Sequence, residues 1–305
     1  MKIGIYSIAY LGVWYKGAAM DLAEFIRFAK KEGWEGIELD TKRPHASPMD
    51  LTVDKRKALR DLAGELGMPI SAVSPNCDLS SPVPEHREAM ICYVRECIDL
   101  TKDLGSPICK IFAAWKGVAT RDGLADYEYT KGDPYPDWAA DRWGFVRESL
   151  RELAKYATDR GVVLALQNHG PVIRNYKDVL AFITEVGSPA LKACMDIPME
   201  DKPDSPERAR AIVAETGPLL VHSHFGGEFR RSQSGEVELH WDHGVAYAEY
   251  VTALVKAGYA GFINWEYCHP AMADGKRAGI GHVHAQAALA REFMKKLRTA
   301  AAGPA

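Results

Sequence analysis

We predict a single-domain α/β fold, a (β/α)8 barrel of the TIM type, from three features of this sequence. Short apolar segments alternate with amphipathic ones from end to end, and eight of the apolar segments fit β-strands. Glycine follows several of the amphipathic segments just before the next strand, where its tolerance of positive φ ends a helix. The chain has 305 residues, 47% of them hydrophobic, which suffices for one barrel.

The order of the segments predicts a parallel sheet with helices outside it, and eight such units close a barrel. The predicted strands are Lys2–Ser7, Gly36–Asp40, Pro69–Ser74, Pro107–Phe112, Val162–Asn168, Leu191–Asp196, Leu219–His224 and Gly261–Glu266. Six helical segments between them are Asp21–Lys31, Asp54–Leu66, Glu85–Leu104, Asp137–Arg160, Asn175–Val186 and Val245–Ala257. We assign residues 1–298 to the barrel and residues 299–305 to a frayed tail.

An open, doubly wound sheet is the alternative architecture for alternating strands and helices. Such a sheet normally carries a GxGxxG loop after its first strand, and the segment SIAYLGVWYKG does not contain one. No linker or low-complexity tract divides the chain, so a second domain is not expected.

Composition argues against several classes of protein. The formal net charge of −3 gives no basic surplus for binding a phosphate backbone, so we expect no nucleic acid partner. No stretch approaches about 18 uninterrupted apolar residues, so we expect no membrane span. The amino terminus, MKIGIYSIAYLGVW, fits a first strand better than a signal peptide, and the six cysteines lack CxxC pairing. We therefore expect free thiols in the cytoplasm.

Polar residues with metal-binding atoms stand at the ends of the last four predicted strands: Gln167, Asp196, His224 and Glu266. The carboxyl ends of neighbouring barrel strands converge on the barrel axis, so these four groups can meet although they lie far apart in sequence. One amide oxygen, two carboxylates and an imidazole suit Mn²⁺, Mg²⁺ or Co²⁺ at least as well as Zn²⁺. We expect one divalent metal, with Mn²⁺ as the first candidate; a polar network of the barrel core is the alternative.

From GIELD on the second strand to INWEY on the eighth, the chain resembles the xylose isomerase-like sugar phosphate isomerase/epimerase superfamily. This superfamily includes endonuclease IV and the ketose 3-epimerases. The resemblance implies a Glu-Asp-His-Glu quartet that holds one divalent metal, with Asp196, His224 and Glu266 in the last three positions. His222 is the alternative to His224. We favour His224 because Arg230 follows it at the spacing of the substrate-contacting arginine in ketose epimerases.

Gln167 departs from that pattern, because it stands where the family has the first glutamate. In the epimerases both ligand glutamates act as bases on opposite faces of the substrate carbon, and an amide cannot take a proton. Gln167 can still coordinate a metal through its oxygen. His169 lies two residues further on and points to the same side if the strand extends that far, so it is our candidate for a second base. A structural hydrogen bond is the alternative for His169.

Further candidates surround the same strand ends. Lys110 lies inside the apolar fourth strand, where a lysine is costly unless paired; it either stabilises substrate charge or forms a buried ion pair with Glu38 or Asp40. As substrate contacts we expect Lys42, His45, Trp115, His222 and Arg230. The HxH motif of His282 and His284 is left outside the site, and His240 and His243 are unassigned.

The expected chemistry is metal-assisted enolisation of a keto or aldo sugar, with Glu266 or His169 removing the proton next to the carbonyl. Return of the proton makes an isomerase or epimerase. Loss of a β-substituent makes a lyase acting on a 3-keto glycoside or related keto-polyol, which is the first alternative because one carboxylate base is missing. A non-catalytic sugar-binding subunit and endonuclease IV-like DNA repair are less expected. The resemblance also allows a homo-oligomer.

Overall fold

The predicted barrel is present in the computed structural model, which describes residues 1–130, 132–200, 205–240 and 246–303. Eight parallel strands pair in chain order and close between the last strand and the first. They are β1 (Lys2–Tyr6), β2 (Ile37–Asp40), β3 (Ile70–Ser74), β4 (Ile108–Ile111), β5 (Val163–Gln167), β6 (Leu191–Asp196), β7 (Leu220–Phe225) and β8 (Phe262–Trp265). The α/β fold class and all eight predicted strands are confirmed, and the open sheet is excluded.

Helices cover the outside of the barrel between successive strands. They are α1 (Leu22–Lys31), α2 (Val53–Glu65), α3 (Pro84–Asp103), α4 (Arg142–Arg160), α5 (Tyr176–Val186), α6 (Pro206–Thr216), α7 (Tyr247–Lys256) and α8 (Ile280–Ala302). Side-chain caps begin several of them: Asp21 accepts from the amide of Ala23, and Asn175 from that of Lys177. Gly161 and Gly187 end α4 and α5 in the left-handed conformation that the sequence predicted.

Two helix boundaries differ from the sequence prediction, and a third cannot be compared. The segment from Asp137 does not begin a helix, because residues 136–138 form a separate 3-10 turn and α4 starts at Arg142. The predicted start of the seventh helix at Val245 lies outside the described residues. The frayed tail is wrong for residues 299–302, which continue α8. Alanine favours the helix there, and Arg298 fixes this end of α8 to Glu35 through two hydrogen bonds. Residues 304–305 of the tail are outside the described part.

Three small antiparallel hairpins extend the loops that follow β4, β7 and β8 on the carboxyl-terminal face. They pair Ala119–Arg121 with Leu124–Asp126, Phe229–Arg231 with Val237–Leu239, and Met272–Ala273 with Lys276–Arg277. Loops on this face build the active sites of TIM barrels, so the hairpins are positioned to shape a site rather than to stabilise the barrel. In the described ranges, no helix combines the length and the apolar character that crossing a membrane requires.

Candidate active site

The carboxyl ends of β6, β7 and β8 bring three predicted metal ligands together. Single ligand atoms of Asp196, His224 and Glu266 all lie within 4.8 Å of one another, and Nδ1 of His224 is 3.0 Å from Oε2 of Glu266. The sheet register explains the meeting, because Asp196 is paired with His224 and Glu266 directly follows the end of β8. Gln167, the last residue of β5, donates from Nε2 to Oδ2 of Asp196 at 3.3 Å. All four predicted ligands therefore lie in one cluster.

The cluster leaves ligand atoms without hydrogen bonds. Oε1 of Gln167 and Oδ1 of Asp196 are buried and make no hydrogen bond to any residue that the structure describes, and Nδ1 of His224 faces only the Glu266 carboxylate. A buried polar atom left in this way costs about 1–3 kcal/mol, so native proteins rarely tolerate several at one point without a ligand. Two acceptor oxygens and an imidazole nitrogen around one point fit a divalent cation.

The charges of the cluster also indicate that it is built around a cation. Burial alone disfavours the imidazolium, but the carboxylates of Glu38 and Glu266 outweigh it and raise the pKa of His224 to about 10. Burial and the nearby charge of Glu266 raise the pKa of Asp196. Burial alone would also raise the pKa of Glu266, but the charge and hydrogen bond of His224 lower it. In the metal-free protein, protons on His224 and Asp196 therefore offset the negative charge of the cluster. A bound metal ion would offset that charge in their place.

A second, deeper layer of polar side chains lies beneath this cluster inside the barrel. Glu38 accepts hydrogen bonds from Nε2 of His222 at 2.8 Å and from Nε2 of His224 at 2.9 Å. His222 is fully buried there, since residues two apart on β7 point to the same side but occupy successive layers. The prediction that His222 contacts substrate is therefore wrong, and His224 is the histidine of the upper cluster.

Lys110 points into the barrel from β4 without an anionic partner. Its Nζ is fully buried, makes no hydrogen bond within the described residues, and lies 3.9 Å from the ring centroid of Phe112. The alternative of a buried ion pair is wrong, because His222 and His224 occupy Glu38 while Tyr6 and Lys42 occupy Asp40. The ammonium is close enough to lower the pKa of both Asp196 and Glu266.

His169 lies beside the cluster, although not for the reason that strand periodicity suggested. β5 ends at Gln167, and His169 follows in a turn whose amide donates to the Gln167 carbonyl at 2.9 Å. The ring packs against Trp115 at 4.5 Å between centroids and against Phe112 at 5.1 Å. Burial lowers the pKa of His169, and the charges of Glu266 and Lys110 both act on it. The turn thus keeps His169 and Trp115 together next to the predicted ligands.

Three predicted substrate contacts have other positions or partners. His45 is buried, with Nδ1 on Ser7 Oγ and Nε2 on the Met20 carbonyl, both at 3.1 Å, so its ring supports the loop after β2 and has no atom left for substrate. Arg230 is 57% exposed on its hairpin and pairs with Glu238 at 2.8 Å. Lys42 remains at the rim, 29% exposed, with Nζ 3.0 Å from Asp40. The prediction for His45 is wrong, and those for Arg230 and Lys42 stay predictions.

The HxH motif, which the sequence analysis left outside the site, lies apart from the cluster. His284 packs on Tyr10 and Phe28, while Nε2 of His282 is 3.5 Å from Glu228, so the HxH motif forms no joint site. The backbone amide of His240 donates to the Glu228 carbonyl, and His243 is outside the described residues.

Sequence reasoning missed two roles in the site. Asn168, fully buried, bonds both the amide and the carbonyl of Asp196 and so fixes the ligand strand. Glu38 was considered only as a partner for Lys110. The sequence does point to both residues, since Glu38 and Asn168 are polar residues inside otherwise apolar predicted strands.

Comparisons with known proteins agree with this architecture. Two curated relatives, the fructoselysine 3-epimerases of Shigella flexneri and Escherichia coli O157:H7, are each 28% identical over 207 residues. The matched region covers 65% of this chain and 66% of each relative, just under two thirds of the relatives' length.

Solved structures match over almost the whole chain. A D-psicose 3-epimerase in the presence of D-fructose has a TM-score of 0.73 at 18% identity, and that from Clostridium cellulolyticum H10 with D-tagatose has 0.73 at 20%; each match covers 98% of this chain and 99% of the other. A 3-keto-D-glucoside 4-epimerase from E. coli has a TM-score of 0.68 at 18% identity, with the same coverage. At these identities the likeness establishes the fold. The model of the xylose isomerase-like TIM barrel matches residues 26–297, and the chain belongs to that family.

Proposed function

We propose that this protein is a divalent-metal-dependent epimerase of keto sugars or their derivatives, which removes and returns a proton next to a carbonyl. The observation that carries the proposal is the cluster of Asp196, His224 and Glu266 with Gln167 beside it. Two buried oxygens of this group, Oε1 of Gln167 and Oδ1 of Asp196, have no hydrogen-bond partner in the described part of the chain. The relatives named above are epimerases of sugars or sugar derivatives, which supports the same class of reaction.

The proposed metal is held by Gln167, Asp196, His224 and Glu266, and Mn²⁺ is the first candidate because three of the four donors are oxygens. When bound, a divalent metal polarises the substrate carbonyl and acidifies the adjacent C–H bond. Gln167 contributes an amide oxygen without charge, so the protein side of the site carries one negative charge fewer than a set with two glutamates.

Glu266 is the proposed base on one face of the substrate. Its side chain is 11% exposed, whereas that of His224 is fully buried, so Glu266 can reach a bound sugar from the open end of the barrel. A carboxylate held ionised is ready to accept a proton at neutral pH. In the metal-free state its charge is engaged by His224 at 3.0 Å, so full basicity requires that His224 lose its second proton.

His169 is the proposed group on the opposite face, where Gln167 cannot act. Nδ1 lies 2.8 Å from the Gly170 carbonyl, which only accepts, so Nδ1 carries the ring proton and Nε2 has a free electron pair. Burial lowers the pKa of His169, so the ring is neutral at pH 7 and Nε2 can accept a proton. Trp115 stacks beside it and offers an aromatic face to the apolar face of a sugar.

Lys110 is the proposed stabiliser of the negative charge that develops on oxygen as the proton leaves carbon. A buried ammonium without a carboxylate partner is electrostatically strong because little water screens it. Lys42, at the rim, is proposed to contact substrate hydroxyls.

A lyase that eliminates a β-substituent from a 3-keto glycoside is the second candidate. Gln167 favours it, because elimination needs one base and a leaving-group acid, whereas epimerisation needs a proton donor on each face. His169 or Lys110 would then protonate the leaving oxygen.

The deciding experiment incubates Mn²⁺-loaded protein in D₂O with a panel of ketoses, fructosamines and 3-keto glycosides. After metal and protein are removed, proton NMR of the products is recorded, with a chelator-treated sample in parallel. Chelator-sensitive deuterium at one carbon with inverted configuration supports the epimerase, and an unsaturated ketone with a released aglycone supports the lyase. Absence of exchange across the panel, with metal shown to be bound, counts against both and supports a sugar-binding subunit.

A further inference from the structure

We infer that Glu38 is a positioning residue, whose carboxylate holds a proton on Nε2 of His224 and so presents Nδ1 of the same ring to the divalent metal. The inference rests on the proposed function, since it concerns the metal which that function requires. Glu38 lies on β2, on the far side of the barrel from the ligand strands β5 and β6, and is fully buried.

Both oxygens of Glu38 can only accept hydrogen bonds in this arrangement. Oε1 receives the Ser74 hydroxyl and Nε2 of His224 at 3.1 Å. Oε2 receives Nε2 of His222 at 2.8 Å, Nε2 of His224 at 2.9 Å and the amide nitrogen of Asn264 at 2.8 Å. The Asn264 amide nitrogen can only donate and occupies Oε2, while the Ser74 hydroxyl donates to Oε1. Both oxygens therefore act as acceptors, and each histidine must direct a ring hydrogen at the carboxylate.

This requirement fixes the tautomer of His224. A neutral imidazole carries one ring hydrogen, and the hydrogen bond to Glu38 places that hydrogen on Nε2. Nδ1 is then the nitrogen with a free electron pair, and it is the one that faces Oε2 of Glu266 at 3.0 Å within the cluster that includes Asp196. Histidine ligands of metals are commonly oriented by an outer carboxylate in this manner, and loss of that partner typically weakens metal affinity 10- to 100-fold.

The ring cannot easily turn to exchange its two nitrogens. Tyr6 stacks on His224 with 5.6 Å between ring centroids and 11° between planes, and the Tyr6 hydroxyl is itself held by Asp40 at 2.8 Å. The orientation of the ring is therefore set by a stack on its face and a charged hydrogen bond at its deep edge.

Gly4 on β1 makes room for this arrangement. The side chain of Asn264, which donates to Glu38 and to Ser71, crosses the barrel so closely that a Cβ at Gly4 would lie 2.0 Å from Oδ1 of Asn264. Any larger residue at position 4 would displace Asn264 and remove one of the donors that hold the Glu38 carboxylate in place.

The test measures nitrogen chemistry and metal affinity, neither of which needs a substrate. Long-range ¹H–¹⁵N NMR of Zn²⁺-loaded, ¹⁵N-histidine-labelled protein reports which nitrogen of His224 carries hydrogen and which binds metal. We expect a slowly exchanging hydrogen on Nε2 and metal on Nδ1. Titration with Mn²⁺ compares the wild type with Glu38→Gln, for which we expect a 10- to 100-fold higher Kd.

Glu35→Gln is the matched control, because it makes the same Glu-to-Gln change three residues before Glu38, where the carboxylate pairs with Arg298 and the Ile3 amide and not with a predicted ligand. Its Kd for Mn²⁺ should equal that of the wild type. Coordination of the metal through Nε2 of His224, as in a site formed by Glu38, His222 and His224, overturns the inference. A Glu38→Gln variant that is folded and binds Mn²⁺ with the same Kd as the control also overturns it. If Glu38→Gln does not fold, the wild-type spectrum still decides. Failure of the wild type to bind any metal refutes the proposed function instead.

Discussion

Metal binding should depend steeply on pH, because the metal must displace a proton from His224. Burial opposes the imidazolium, but Glu38 and Glu266 raise the pKa of His224 to about 10 in the metal-free protein. At pH 7 almost every ring then keeps its second proton, so the apparent affinity is well below its limit. Below pH 10 the affinity should change about tenfold per pH unit. The raised pKa of Asp196, caused by burial and by Glu266, makes the dependence steeper at the acidic end.

The assay is a titration with Mn²⁺ between about pH 6 and pH 8.5, with free ion measured by electron paramagnetic resonance. Calorimetry in buffers of different ionisation enthalpy then counts the protons released, and we expect about one per metal at the alkaline end of that range. His284→Gln is the control, because its ring packs on Tyr10 and Phe28 and should leave the slope unchanged. An affinity independent of pH, or a titration without proton release, would refute the assignment of His224 as a ligand.

The same pKa predicts how the stability of the metal-free protein varies with pH. The folded-state pKa of His224 is raised above its ordinary value of 6.5, so the protonated ring stabilises the fold fully below about pH 6.5. That contribution is lost as the pH rises toward 10. Metal-loaded protein has already given up this proton, so the difference in Tm between loaded and chelated samples should grow with pH, as measured by scanning calorimetry. A difference in Tm that becomes smaller as the pH rises would contradict this prediction.

Four substitutions test the remaining assignments. Gln167→Glu adds a charge next to the metal and should lower the Kd for Mn²⁺ by about tenfold in the same titration; an unchanged Kd would remove residue 167 from the ligand set. His169→Gln should lower kcat about 100-fold at unchanged Kd for Mn²⁺, and weakened metal binding would make it a ligand instead. Lys110→Met should lower kcat about 100-fold, since it removes the buried ammonium proposed to stabilise the negative charge on oxygen; an unchanged kcat would contradict that role. Arg230→Ala should leave kcat/KM within about twofold, because the side chain pairs with Glu238 in solvent, and a large loss would restore it to the substrate site.

The barrel could be predicted from the sequence because its determinants are local and repeated. Each strand is an apolar segment of about the right length between breakers, and the alternation with helices leaves few topologies. The predicted ligands followed from the same geometry, since all four lie at or next to the carboxyl ends of strands, which must converge in a closed barrel: Gln167, Asp196, His224 and Glu266.

Residues on the connecting loops could not be placed in this way, since their orientation depends on contacts distant in sequence. Arg230 has the spacing of a substrate arginine, but the antiparallel pairing of its hairpin puts it opposite Glu238 on the exposed side. His45 looks like a rim residue, yet the loop after β2 turns it inward to Ser7 and Met20. His169 was selected by strand periodicity beyond the end of the strand and reached the site through a turn.

The charges inside the barrel give a reason for an amide at position 167. Three carboxylates, Glu38, Asp196 and Glu266, surround His224, and the Lys110 ammonium acts on this group from β4. With a divalent metal and a neutral imidazole the group is electrically balanced, whereas a glutamate at position 167 would leave one buried negative charge in excess. Buried charges persist only when they are compensated. The positive charge of Lys110 and the neutral amide of Gln167 together keep the buried group balanced. The amide is therefore compatible with a working metal site, and a variant that carries glutamate at 167 together with methionine at 110 should be less stable without metal than either single change implies.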